Sequence, residues 1–244
     1  MINNLFLNIF NLLINLIDYP NKKKILTYLK KKLKNKSLTV IDIGAHKGET
    51  INFFLKNFKI SKIFAFEPNK ELFNDLKKNN RYFNKEINIY NLGVGQLDEI
   101  KFLNIMTDSA SSTFNTINKN TEYFKKKQKI LSIFSQNKEF IKKKQEINIT
   151  NLSKIILHNK IKEIDVLKID TEGYEYNILK GIENYDFIKI KYIYFEHHFD
   201  LMINKGYKLS DINKLLNKNN FYKKYKLKME FRKSFEYIYE NAKK

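Results

Sequence analysis

The chain has 244 residues, 43% of them hydrophobic, which is enough for one α/β domain with its own core. It contains no Cys, which excludes a disulfide framework and a thiolate metal site and is compatible with a reducing cytoplasm. Basic residues exceed acidic ones by 46 − 26 = 20, a balance that favours anionic partners such as nucleic acid, lipid headgroups or acidic glycans. Lysine is spread over every segment without a clear aromatic-interleaved cluster, so biased composition accounts for the charge as well, and nucleic acid is the less expected partner.

Residues 1–36 read as a helical segment ahead of the main domain, 37–244. In residues 1–20, Asn4, Asn8, Asn11, Asn15 and Asp18 recur at helical spacing and leave a wide face of Leu5, Phe6, Ile9, Phe10, Leu12, Leu13, Leu16 and Ile17. The Asn residues interrupt any run long enough to span a bilayer, and no basic n-region or small-residue cleavage site marks a secretory signal. Two expectations follow: packing on the domain or a second subunit, or an in-plane membrane helix beside Lys22-Lys23-Lys24. The span from Ile25 to Leu33 is expected as a second helix.

Val40-Ile41-Asp42-Ile43 reads as a buried strand, and Gly44-Ala45-His46-Lys47-Gly48 as a tight turn into a helix that begins near Thr50. Glycines without Cβ let the backbone turn sharply and lie close to a ligand. A strand, a glycine turn and a helix start form a nucleotide-binding corner. About twenty residues on, Lys62 to Phe66 is a second apolar run, ending in Glu67-Pro68. An acid at that strand tip accepts hydrogen bonds from ribose hydroxyls. Neither the dehydrogenase glycine fingerprint nor the phosphate loop is present. Asp42 ahead of the first glycine suits a cofactor whose near end carries an ammonium, as S-adenosylmethionine does; it could also orient the turn or act through water.

Glu71 to Asn79 reads as a helix, Ile87 to Gly95 as a third strand and its exit, and Ile100 to Ile105 as another strand. Ser109 to Thr113 is a polar cluster. The stretch 118–146 is expected as an insertion of one or two helices, flanked by Lys125 to Lys127 and Lys142 to Lys144. A helix over Ser153 to His158 precedes Ile164 to Ile169, a near-continuous apolar run expected as the fourth parallel strand, with Asp170 at its carboxyl end. Gly173 relaxes the turn into a helix over Tyr174 to Gly181. Lys191 to Phe195 is the fifth strand, delivering Glu196, His197 and His198 to the same rim. Ser210 is expected to cap a helix over Asp211 to Asn219, and Phe221 to Leu227 and Phe235 to Tyr239 form a closing strand pair.

Three blocks carry a family resemblance: Asp42-Ile43-Gly44-Ala45-His46-Lys47-Gly48, Phe66-Glu67-Pro68, and Leu167-Lys168-Ile169-Asp170-Thr171-Glu172-Gly173-Tyr174-Glu175. They resemble the FkbM-type methyltransferases, whose pattern is D-x-G-A-N-x-G, F-E-P and K-I-D-x-E-G-x-E. The resemblance runs from about Leu38 to His198. It implies a Rossmann-like class I methyltransferase fold, an α/β architecture with a mostly parallel sheet flanked by helices and an antiparallel closing hairpin. It also implies S-adenosylmethionine as cofactor and an O-methyl transfer to a sugar or glycan hydroxyl. His46 departs from the family's Asn, although both types are enriched at positive φ. The family's third strand ends in an Asn followed by a glycine–acid pair near the adenine. Asn91 and Gly95 match in type; Gln96 replaces the acid, which leaves adenine recognition to Gln96, Asp98 or a backbone group. Ser112 lies in the segment matching the family's serine-rich loop.

The expected cofactor site is therefore Asp42, Gly44, Ala45, His46, Gly48, Glu67, Pro68, Asn91, Gly95, Gln96 and Ser112. The expected catalytic groups are Asp170, Glu172 and His197. Asp170, at the strand end nearest the expected methyl group, is the first candidate for the base; it could instead bind the cofactor's amino group or fix the turn. Glu172 and Glu175 could bind substrate or stabilise a helix start. His197 is preferred to His198 on strand alternation with Phe195. No ligand spacing demands a metal, although Asp170, Glu172, Glu196 and a His could gather a hard cation. The +20 charge keeps an RNA methyltransferase as an alternative, and a non-catalytic cofactor-binding scaffold is a second.

Overall fold

The computed structural model describes residues 20–79, 82, 86–107, 109–134, 140–229 and 233–244. The expected amphipathic helix before residue 20 lies outside them. Residues 20–32 form helix α1. It packs by an i, i+4 stripe of Asn21, Ile25, Leu29 and, just past its end, Leu33, each buried. Strand β1, Ser37–Ile43, starts the domain. Then follow α2 (Glu49–Asn57), β2 (Lys59–Phe66), α3 (Lys70–Lys78), β3 (Ile87–Tyr90), β4 (Gly93–Gly95) and β5 (Glu99–Met106). The chain continues through α4 (Glu122–Phe134), β6 (Ile141–Asn151), α5 (Leu152–His158), β7 (Ile164–Ile169), α6 (Glu175–Lys180) and α7 (Asn184–Phe187). It closes with β8 (Ile190–His198), α8 (Leu209–Lys218), β9 (Phe221–Lys228) and β10 (Ser234–Asn241).

Seven strands form one sheet in the order β3-β2-β1-β7-β8-β10-β9. The first five run parallel, and β10 and β9 close it as an antiparallel pair. β1 sits between β2 and β7 because the chain first winds outward through β2 and β3, then returns to β1's other side. Ligands bind beyond the carboxyl ends of the strands at such a switch point. Strand alternation splits the core in two. Ile41, Ile43, Phe64, Phe66, Leu167 and Phe195 face Ile155, Ile178, Leu179 and Ile212 of α5, α6 and α8. Val40, Ala65, Val166 and Tyr194 face Ile25 and Leu29 of α1 and Ile51 and Phe54 of α2.

Three sequence expectations change. The stretch 118–146 is not wholly helical: α4 is followed by β6, which pairs antiparallel with β5 and parallel with β4 in a second, three-stranded sheet. Ile147 and Ile149 alternate inward there, but the lysines before them carry no inward–outward alternation, so only the distant partner β5 defines the strand. Ser210 does not cap α8. The helix begins at Leu209, and Asp211 reaches back to accept from the Lys208 N–H at 2.8 Å. The fifth strand does not end at Phe195: β8 runs on through Glu196 and His197 to His198, with the two histidines opposite Phe235 and Ser234. Among the described residues, no helix is long and apolar enough to cross a membrane.

Candidate active site

A cleft open to solvent lies over the ends of β1, β2 and β7. Its apolar walls include Ile43, Phe66, Leu92, Val94, Leu103 and Phe114; Gly44, His46, Glu67, Pro68, Ser109, Ser112, Asp170 and Glu172 add polar groups or backbone.

Glu67 is the most firmly held carboxylate of the cleft. It is 6% exposed; one oxygen accepts from the His46 N–H at 2.7 Å and the other from the Asn69 N–H at 2.8 Å. Each carboxylate oxygen keeps a second lone pair, and the group lines the cleft, so it can still accept from a diol. Burial raises its pKa to about 7, against the pull of the two backbone donors. Asn91 does not line the cleft. Its amide donates to the Glu67 and Pro68 carbonyls at 2.9 and 2.8 Å and fixes that corner from behind.

The turn after β1 is held largely by the protein itself. The Gly44 and Ala45 N–H groups both donate to the Phe66 carbonyl at 3.0 Å. His46 adopts φ 49°, as expected for a residue standing where the family has Asn. Its ring lies 3.1 Å from Glu49 and 2.9 Å from the Ser109 hydroxyl, which ties the turn to the serine-rich loop. Burial works against the charged ring, but Glu49 outweighs it and the His46 pKa is raised. Ser112 lines the cleft as expected and accepts from the Met106 N–H.

Several expected cofactor contacts are corrected. Ala45 packs in the core beside α1 and α2, and neither it nor Gly48 lines the cleft; Gly48 starts α2 at φ 86° against Tyr82. Gly95 packs on Ile149 and Tyr174, and Gln96 lies against Gly181. The wall at that place is Leu92, Gly93 and Val94, earlier along the same exit. Asp98 pairs with Lys154 and Thr150 away from the cleft. Leu92, Val94, Leu103, Phe114, Ser109 and Ala110 were not foreseen as lining residues. Only the Ser109 to Thr113 cluster signalled the last two.

Asp42 lies beneath the turn, fully buried, and neither oxygen has a hydrogen-bond partner among the described residues. Burial raises its pKa to about 8, opposed by Lys168. Its raised folded value stabilises the fold fully below about pH 3.8, a contribution lost as pH rises through about 8. Asp42→Asn removes that loss. The variant's stability advantage over wild type, read by denaturant unfolding, is therefore expected to grow between pH 5 and pH 9 by on the order of a few kcal/mol. An advantage independent of pH would mean that Asp42 is not held neutral.

Beyond β7, Asp170 lines the cleft and pairs with Lys168 at 3.1 Å, whose ammonium sits 4.3 Å from the Tyr194 ring centroid. Glu172 and Gly173 both take positive φ, 50° and 94°. The Thr113 hydroxyl donates to the Glu172 carbonyl at 2.8 Å and the Asn115 amide to the Gly173 carbonyl at 2.7 Å, pinning the turn. Left-handed backbone at a non-glycine costs about 1–2 kcal/mol and gathers at functional sites. Glu175 is a turn residue: it accepts from the Thr171 hydroxyl, the Gly173 N–H and the Tyr207 hydroxyl.

The two histidines separate. His197 does not line the cleft; it packs edge-on against Phe199 and near Tyr207, and burial pushes its pKa down to about 4. His198 instead sits among carboxylates, Nε2 3.4 Å from Glu172 and 3.7 Å from Glu196, Nδ1 3.6 Å from Asp200. Burial alone would lower its pKa, but these acids raise it to about 10. Burial raises Glu172 to about 7 despite that cation. Among the described residues no group of three or more His, Asp or Glu is arranged to hold a metal ion.

An open, mostly parallel α/β sheet closed by an antiparallel pair, with acids at the tip of β2 and beyond β7, is the architecture of the class I methyltransferases. The family model described as Methyltransferase FkbM domain matches residues 42–223. The chain therefore belongs to the FkbM methyltransferase family, and S-adenosylmethionine, the methyl donor of that family, is its cofactor. Among solved structures, it resembles the FkbM methyltransferase of Methylobacillus flagellatus KT at 15% identity and TM-score 0.53, covering 83% of this chain and 44% of that one. The chain thus spans less than half of that protein. It also resembles M. capricolum TrmK in complex with S-adenosyl-homocysteine (13% identity, TM-score 0.50, 89% of this chain and 67% of that one). A third is the magnesium protoporphyrin IX methyltransferase of Synechocystis PCC 6803 with bound SAH (9%, TM-score 0.50, 93% and 84%). At these identities the likeness is one of fold. No curated protein matches the chain significantly.

Proposed function

We propose that the chain is an O-methyltransferase that uses S-adenosylmethionine and acts on a hydroxyl of a sugar or glycan. The observation that carries the reaction type is Glu172: a carboxyl in the cleft, in strained backbone, with a pKa near 7 and an imidazole behind it. A base poised near working pH is what an alcohol acceptor needs. The bound cofactor supplies an electrophilic methyl carbon, so the protein's work is placement and proton removal. Glu67 would hold the ribose hydroxyls, and the wall of Phe66, Leu92, Val94 and Phe114 would take the purine. Asp170, paired to Lys168, would orient the acceptor or the cofactor's amino group, and Glu172 would take the hydroxyl proton. The glycan acceptor rests on the family resemblance.

The test is incubation with S-adenosylmethionine and a panel of mono- and oligosaccharides, read by mass spectrometry. The expected result is a gain of one methyl mass on a sugar hydroxyl. Transfer to RNA alone would favour the reading that the +20 charge motivates. Cofactor binding with no transfer to any acceptor would favour a scaffold. In calorimetry, Glu67→Ala is expected to weaken cofactor binding about 100-fold or more, as loss of two hydrogen bonds to a charged group implies. Unchanged affinity would remove Glu67 from the site.

A further inference from the structure

The rim that carries the cleft extends along the sheet to β8, the β9–β10 hairpin and the start of α1. β9 is antiparallel to β10 and β10 to β8, so the end of β9 at Lys228 lies at the same edge as His198. The Asn21 amide donates to the Lys228 carbonyl at 3.1 Å, which fixes the first turn of α1 there. Phe199 N–H donates to the Lys233 carbonyl at 2.6 Å and anchors the loop after β8 beside them. Two large apolar side chains project from that loop, Phe199 at 45% and Leu201 at 75% exposure. Exposed lysines lie along the same edge: the Lys22-Lys23-Lys24 run on α1 (which packs on the other face of the sheet from Phe199), Lys226 and Lys228 on β9, and Lys233 on the hairpin.

We propose that this rim docks on the surface of an anionic lipid bilayer, with the cleft facing the membrane. Charge complementarity supplies one half of the argument: each lysine held near an anionic surface adds a favourable increment that salt screens. The apolar projections supply the other, because stable peripheral binding takes an apolar insertion together with a basic patch. The sequence before Pro20, with its Leu, Ile and Phe at helical spacing, joins the chain at this same edge and just ahead of the lysine run. RNA would use the lysines and Phe199 but has no use for an exposed aliphatic Leu201 or a leucine-rich preceding segment. The inference does not depend on which hydroxyl is methylated.

The test is co-sedimentation of the full chain with vesicles of phosphatidylcholine alone and of phosphatidylcholine mixed with phosphatidylglycerol, beside a filter-binding arm with single-stranded RNA. Binding to the anionic vesicles only is expected, weakening as salt rises. The variant K22Q/K23Q/K24Q is expected to lose at least about tenfold in partitioning, and Leu201→Asp several-fold. The control K30Q/K31Q/K34Q removes the same charge from the other end of α1 and just beyond it, where the chain turns into β1, and is expected to lose less than about threefold. Equal losses in the two triple variants would show diffuse charge attraction and overturn the rim assignment. So would equal binding to neutral vesicles, or binding to RNA without vesicles.

Discussion

Glu172→Gln is expected to lower kcat by about 10²- to 10⁴-fold, the range for loss of a general base, while the cofactor's Kd stays within about twofold because the proposed ribose contact belongs to Glu67. The argument rests on contrast between two carboxylates in the cleft. Asp170 already faces the Lys168 ammonium at 3.1 Å. Glu172 faces His198, and burial raises its pKa to about 7 even so. It is thus the carboxyl poised to change protonation near neutral pH. A base must be ionised to act, so the wild-type rate should rise with pH through about 7 and level above it. His198 positions Glu172 and, as an imidazolium, holds its pKa down. Removing that cation in His198→Asn should move the ascending limb to higher pH, with the plateau rate less affected than in Glu172→Gln. A limb that stays in place in His198→Asn, or a Glu172→Gln variant with wild-type kcat, would remove the proposed base. His197→Asn, acting on a ring outside the cleft, should leave the limb where it is.

How far the sequence revealed this arrangement depends on whether a feature is local. The turn after β1, the acid at Glu67 and the acids after β7 follow from short strings of strand, glycine and carboxylate, and each stands at the end of its strand. The positive φ of His46 was legible because Asn and His share a tolerance for it. What was not legible depends on distant partners. β6 is a strand because β5 lies beside it, not because its lysine run alternates. The two histidines alternate across β8, but the carboxylates that make His198 the relevant one come from a turn and a loop, Glu172 and Asp200, as well as from Glu196. The cleft is walled by Leu92, Gly93 and Val94 rather than by Gly95 and Gln96 because the chain leaves the main sheet after β3, and β4 pairs with β6 from Gly93 on.

Gly44→Ala is expected to destabilise the fold by about 3 kcal/mol or more and to lower the melting temperature by roughly 10 °C. The motif glycine suggests room for a ligand, but the structure shows a different constraint. A Cβ at Gly44 would lie 1.9 Å from the Asp170 carbonyl oxygen, at a backbone φ of 89° that disfavours any side chain. Both partners are backbone, so relief requires β1 and β7 to part, at the place where the Asp170 N–H donates to the Ile43 carbonyl at 2.9 Å. Two other glycines separate the causes. At Gly181 a Cβ would meet the Gly95 carbonyl oxygen at 2.1 Å, but φ is −82°, so Gly181→Ala should cost only the overpacking, about 1–3 kcal/mol. At Gly206 nothing lies within 4 Å and φ is 72°, so Gly206→Ala should cost only the left-handed strain, about 1–2 kcal/mol. Gly44→Ala should approach the sum of the two, read by thermal unfolding without cofactor. If the apo variant instead melted with wild type and lost only cofactor affinity, the glycine would be serving the ligand, and the close approach of β1 to the turn after β7 would not be what holds this corner of the site.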